Sequence, residues 1–187
     1  MSESRQILLS LGSNENALAN LRRCLGALEA RFGEIQASTV YQSADVTAPD
    51  AGPAPASHGV ISHSPVFHNM VVAFTSDASP AEIKAWGKAQ ERAQGRLPQS
   101  AGASTHPIDI DLLAVGELRG EFESEDGAID LPHGDILRHA FVLRPLAELL
   151  PDARHPREGT VYAELWQRAR ASERFARQPL RPVAFNR

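Results

Sequence analysis

Apolar residues along this chain recur at two spacings, and the switches between them mark out the elements. Gln6 to Leu11 is a short apolar run that reads as a buried strand ending at Gly12-Ser13-Asn14. Leu18, Leu21, Leu25, Leu28 and Phe32 then recur at three- and four-residue steps, while Arg22, Arg23, Glu29 and Arg31 largely take the other side, so an amphipathic helix is predicted, ended by Gly33. Ile35 to Ser43, rich in Thr, Val and Tyr, reads as a second strand. Asp45 to Ser64 is loaded with Pro, Ala, Gly and Ser and predicts an exposed loop of the kind a compact domain keeps as a lid or mobile segment. Val66 to Thr75 alternates with period two and puts Phe67, Asn69, Val71 and Ala73 on one face of a strand. Ser79-Pro80-Ala81-Glu82 is a capping box with proline at the first helical position, so a helix runs to about Gln94 and stops at Gly95.

The rest of the chain is more broken. Gln99 to His106 reads as a loop of small residues, Ile108 to Val115 as a fourth strand, and the stretch after Gly116 as a short hairpin with Asp126-Gly127 in its turn. Beyond His133 short helical pieces are predicted near Ile136, over Leu143 to Leu150, and from Thr160 to about Ala171. The order β-α-β, long loop, β-α-β predicts an α+β, ferredoxin-like sandwich: a mainly antiparallel sheet with helices packed on it. A doubly wound parallel sheet fits less well, because no helix separates the second and third strands.

Composition narrows the function. A chain of 187 residues with 42% hydrophobic and 22% charged residues can bury one core, and a single domain over 1–187 is expected. The net charge of -4 argues against nucleic acid as partner, since phosphate-backbone affinity comes from basic residues. Cys24 is the lone cysteine, which excludes an intrachain disulfide and suits a reducing compartment. The opening apolar run is too short for a signal-peptide core or a membrane span. A cytoplasmic monomer acting on small molecules, with no membrane partner, is therefore expected. Charge is uneven: residues 154–187 carry eight Arg against Glu158, Glu164 and Glu173, so this extension reads as a basic patch on an acidic body.

Candidate chemistry centres on Asp109-Ile110-Asp111. Residues two apart in a strand point to the same face, with Cα atoms about 6.6 Å apart at about 3.3 Å per residue. Both carboxylates then share one side while Ile108, Ile110 and Leu112 satisfy the core on the other. Hard oxygen donors suit Mg²⁺, which commonly takes one or two carboxylates together with nucleotide phosphates; a solvated strand face is the alternative. Gly12-Ser13-Asn14 could cradle a phosphate on free amides or simply cap the following helix. Asn69, between Phe67 and Val71, carries a donor and an acceptor able to read the edge of a flat heterocycle, or else bonds nearby backbone as a core asparagine. His58, His63 and His68 recur at five-residue intervals, but without cysteines and in a loop-rich stretch they read as loop histidines rather than a zinc site.

Taken in order, these segments resemble the 6-hydroxymethyl-7,8-dihydropterin pyrophosphokinases of folate biosynthesis over residues 6–150. The resemblance is carried by LSLGSN at 9–14, VYQS at 40–43, VFHNMVVAFT at 66–75, QERAQGR at 90–96, IDIDLLAVG at 108–116 and LPHGDILRHAFVLRPLAELLP at 131–151. It implies a ferredoxin-like fold with three mobile loops and a Mg²⁺-dependent transfer of pyrophosphate from ATP to the pterin alcohol, releasing AMP. By the same resemblance Asp109 and Asp111 hold two Mg²⁺ ions on the ATP phosphates, Asn69 bonds the pterin, Phe67 and Phe141 sandwich it, and Ser43 stands where a pterin-touching Thr is usual. Glu91, Arg96, Ile110, His133 and His139 match positions on the nucleotide side, and Arg96 with His106 match catalytic ones.

The chain also departs from that pattern. The loop before IDID reads LPQSAGASTHP, with Pro98 at a usually basic position, Ala103 at a usual Trp and His106 at a usual Arg; His139 replaces another Arg, and Ala44 a usual Pro. Histidine is charged only part of the time near neutral pH, where arginine always is. Two other readings therefore stay open: a paralogue acting on a different pterin or nucleotide, and a pterin- or nucleotide-binding module without turnover. His106, or Arg174, Arg177 or Arg181 from the basic tail, are the candidates to supply the missing charge.

Overall fold

Alternation in the sequence becomes a sheet with two differently used faces. The computed structural model describes residues 3–44, 66–96 and 105–186. The first apolar run forms β1 (Arg5–Ser13), followed by α1 (Ala17–Phe32), β2 (Ile35–Ala37) and β3 (Val40–Ala44). β4 (Val66–Ser76) leads into α2 (Pro80–Ala93) and β5 (Asp109–Val115), and a hairpin of β6 (Gly120–Phe122) and β7 (Ile129–Leu131) follows. A 3-10 turn (Gly134–Leu137), α3 (Ala140–Leu149), α4 (Tyr162–Ala169), α5 (Glu173–Ala176) and β8 (Arg181–Val183) complete the chain. The loop predicted over Asp45 to Ser64, with His58 and His63, lies outside the described residues, as do Pro98 and Ala103.

The sheet runs β5-β1-β4-β3-β8, with β2 also paired to β4, and every pairing is antiparallel. The four strands of the two β-α-β units thus interleave as a ferredoxin-like sandwich requires. Ile7, Leu9, Leu11, Met70, Val72 and Phe74 face Leu21, Leu25, Leu28 and Ile83 of α1 and α2. Leu8, Val71, Ala73 and Leu113 face the opposite way, against Val142, Leu143 and Leu146 of α3, Tyr162 of α4 and Phe175 of α5. Each predicted alternation is realised, and the chain beyond His133 supplies a second helical layer. Among the described residues no helix is long and apolar enough to cross a membrane.

Three expectations need correction. The single strand read over Ile35 to Ser43 is two, because Ala37 faces Val72 while Tyr41 faces Asn69, which leaves one residue too many against β4. Ser38 takes up the slack: its N–H donates to the Val71 carbonyl and its Oγ accepts from Val71 N–H, both at 3.0 Å. The helix read from Leu143 begins three residues earlier, at Ala140, and accommodates Pro145. The basic tail is also more than an appended patch. β8 pairs Val183 with Val40, Pro182 with Tyr41 and Arg181 with Gln42, an edge position where proline's missing N–H does no harm.

Candidate functional site

On the α3 side of the sheet, apolar residues give way to small and polar ones toward one end of the three central strands. Ser10 lies between Val71 and Asp111, and Gly12 between Asn69 and Asp109. Antiparallel register therefore brings residues nearly a hundred positions apart into two adjacent rows. A cavity of about 310 Å³ opens over these rows, walled by Ser43 and Phe67 on one side and His139 and Phe141 on the other. Gly12 forms part of its floor, because a Cβ there would stand 3.0 Å from Asn69 Oδ1.

Asn69 is 4% exposed, and its Nδ2 donates to Ser43 Oγ at 2.9 Å. Asn69 thus has a side-chain partner on the neighbouring strand, which fixes the amide while its Oδ1 faces Gly12. Each phenylalanine keeps a histidine beside it. Phe67 lies 5.7 Å from the His106 ring, and Phe141 stacks on His139 at 4.9 Å with an interplanar angle of 18°.

Asp109 and Asp111 do share the predicted face and both line this cavity. Arg96 donates to Asp109 and bridges it to Glu91, at 3.1 Å. Burial pushes the Asp111 carboxyl up to about 7, with the negative charge of Asp109 adding to it. Two hard oxygen donors on one face, with the second raised toward its neutral form, fit a divalent cation that also takes phosphate oxygens, because the cation would relieve that repulsion.

Glu91 sits differently from the expectation. It is 3% exposed, accepts Ile110 N–H at 2.9 Å, and pairs with Lys88 and Arg96. It brackets α2 to β5 from within and lines neither cavity. Ile110 and His133 line a second cavity of about 460 Å³, which meets the first at Asp111. Lys84, Lys88 and Arg138 give that cavity a cationic rim. Burial holds the His139 imidazole below its ordinary range against the pull of Asp135, so it stands in poorly for an arginine.

Sequence reading missed several participants. Ser10 was hidden in an apolar run, although the alternation of Leu9 and Leu11 against Ser10 carried the signal, and Gly12, read as part of a possible phosphate cradle, instead floors the first cavity. Ser13 and Asn14 do not form an open phosphate cradle. Ser13 Oγ donates to the Pro107 carbonyl at 2.6 Å, Asn14 N–H to the His106 carbonyl at 3.0 Å, and Asn14 Oδ1 accepts His106 N–H at 2.6 Å. These bonds hold His106 at the cavity. Lys84, Lys88, Arg138 and Asp135 carried no local signature. Of the tail arginines, Arg177 pairs with Glu173 and Arg181 lies in β8, and none of Arg174, Arg177 and Arg181 lines either cavity.

A ferredoxin-like sandwich thus presents an acidic pair at its open sheet end, between an aromatic-walled cavity and a cation-rimmed one of small-molecule size. A family model described as 7,8-dihydro-6-hydroxymethylpterin-pyrophosphokinase (HPPK) matches residues 8–151. The chain belongs to that family. It is 33% identical over 92 residues to a 2-amino-4-hydroxy-6-hydroxymethyldihydropteridine pyrophosphokinase of Pseudomonas aeruginosa, covering 49% of this chain and 54% of that protein. It is 27% identical over 164 residues to a folate synthesis bifunctional protein of Chlamydia caviae, covering 87% of this chain and 34% of that one. Wild-type HPPK-DHPS of Plasmodium falciparum shares the fold with a TM-score of 0.68 at 13% identity, covering 90% of this chain and 45% of that one. The chain thus spans between about a third and about half of the length of these relatives.

Proposed function

We propose that this chain transfers pyrophosphate from ATP to 6-hydroxymethyl-7,8-dihydropterin and releases AMP, as a step of folate biosynthesis. The observation that carries the reading is the placement of Asp109 and Asp111 where a flat-ligand cavity with a fixed amide meets a second cavity rimmed by Lys84, Lys88 and Arg138. The pterin's primary alcohol oxygen attacks the β-phosphorus of ATP, the bond from that phosphorus to the bridging oxygen of the α-phosphate breaks, AMP leaves and the alcohol proton is lost. Mg²⁺, when bound, supplies neutralisation of phosphate charge. Such a transfer needs in-line positioning and charge neutralisation more than a covalent group.

The residues divide that work. Asn69, fixed by Ser43, reads the pterin edge, and Phe67 and Phe141 hold its faces. Asp109 and Asp111 hold the Mg²⁺ ions, expected to be two, and Arg96 orients Asp109. His133, Ile110 and Arg138 face the nucleotide, and His106 stands near the phosphates. The measurement that tests the reading is AMP release from ATP with and without 6-hydroxymethyl-7,8-dihydropterin. AMP formed only with both supports the assignment, and binding of both ligands without AMP would make the chain a binding module. That second reading is favoured by His139, whose imidazole burial holds below its ordinary range at a position where an arginine would stay charged.

A further inference from the structure

The chain beyond residue 151, where the family match ends, packs against α3, whose first turn walls the first cavity. Phe175 is 6% exposed and anchors this segment in the second core. Three residues on, Gln178 reaches the start of α3. Its Oε1 accepts Ala140 N–H at 2.7 Å, and its Nε2 donates to the Arg138 carbonyl at 3.1 Å.

Ala140 is the first residue of α3, and His139 at the N-cap makes no side-chain capping bond. The opening N–H groups of a helix lack internal partners, so Gln178 provides from outside the acceptor that a capping side chain ordinarily gives. Its two bonds grip the backbone on both sides of His139. That residue stacks on Phe141, and both line the cavity. The same tail then enters β8 and pairs with β3 up to Gln42, next to Ser43, the partner of Asn69. One short segment therefore joins the aromatic wall of the cavity to its amide-bearing wall.

We propose that Gln178 is a positioning residue for reduced-pterin binding: by fixing the backbone around His139 it sets the distance between the His139–Phe141 wall and the Ser43–Asn69 pair. This rests on the pterin reading of the first cavity. Calorimetric titration of 6-hydroxymethyl-7,8-dihydropterin, in the presence of Mg²⁺ and a nonhydrolysable ATP analogue, compares wild type, Gln178→Ala and Gln178→Glu. Gln178→Ala weakens pterin binding by about fivefold to tenfold, the scale of one lost hydrogen bond at a partly buried N–H, while affinity for the analogue stays within about twofold. Gln178→Glu, which keeps the acceptor for Ala140 N–H but loses the donor to the Arg138 carbonyl, recovers part of the affinity and separates positioning from misfolding.

Unchanged pterin affinity in Gln178→Ala overturns the proposal. So does an equal loss for pterin and analogue, which marks general loosening, or a failure of Gln178→Glu to recover. A wild type that binds no pterin removes the functional reading and this inference together, whereas normal wild-type binding with an indifferent Gln178→Ala removes the inference alone.

Discussion

At the scale of single residues, Asp111 has the most to reveal, because its carboxyl is raised to about 7 by burial first and by Asp109 second. A folded acid with a raised pKa binds its proton more tightly than the unfolded chain does, so its stabilising contribution is fully present below the ordinary carboxylate range and is lost as pH rises through about 7. Metal-free protein, unfolded thermally in a chelator, should therefore lose stability between about pH 4 and 7, and Asp111→Asn should flatten that decline. Asp111→Ala should abolish turnover and Mg²⁺-dependent ATP binding while the protein still folds; near-normal activity in that variant would rule out a metal role. For Asn69→Ala, calorimetry should show pterin binding weakened by about 1–3 kcal/mol, with ATP binding spared. At position 106 the backbone is held by Asn14 whatever the side chain. His106→Arg should consequently put a permanent cation at the cavity and raise turnover; an unchanged rate would take His106 out of the phosphate site.

At the scale of elements, the decisive joint is between α2 and β5. Glu91 ties the two by accepting Ile110 N–H, and it neutralises Lys88 and Arg96 in a nearly closed setting. Removing Glu91 leaves the buried Ile110 N–H without its acceptor, while Lys88 is 30% exposed and Arg96 keeps Asp109, so Glu91→Ala should cost about 1–3 kcal/mol of stability, read by denaturant unfolding. If Glu91 instead touched nucleotide directly, the loss would appear in ATP affinity with stability nearly intact. Most elements were legible from period and caps alone: α2 starts with the predicted reciprocal bonds between Ser79 and Glu82. β8 was not legible, since Arg-Pro-Val has neither the length nor the alternation of a strand and gains its pairing only from the free edge of β3.

At the scale of the whole molecule, ligand binding and stability are one measurement, because anything that binds only the folded state stabilises it by mass action. An ATP analogue with Mg²⁺ at about 100 times its Kd should raise Tm by roughly 5–10 °C for a chain of this size, and a chelator should remove most of the gain. A shift indifferent to chelator would mean that nucleotide binds without the acidic pair. The arginine-rich tail bears on the molecule as structure: it adds an edge strand, anchors Phe175, and places Arg22 Nε 2.7 Å from the Asn186 carbonyl on α1.

Sequence by itself determined what depends on neighbours close along the chain. Alternation put Asp109 and Asp111 on one face, helical spacing buried Leu21, Leu25 and Leu28, and the order of elements set the ferredoxin-like plan. The pairing of Asn69 with Ser43, the seat of Gly12 beneath the amide, the clamp of Asn14 on His106 and the reach of Gln178 to α3 were decided only by tertiary structure. The physical reason is register. A polar side chain's partner across a sheet or between layers lies tens of residues away in sequence, and a shift of one residue would turn it to the opposite face.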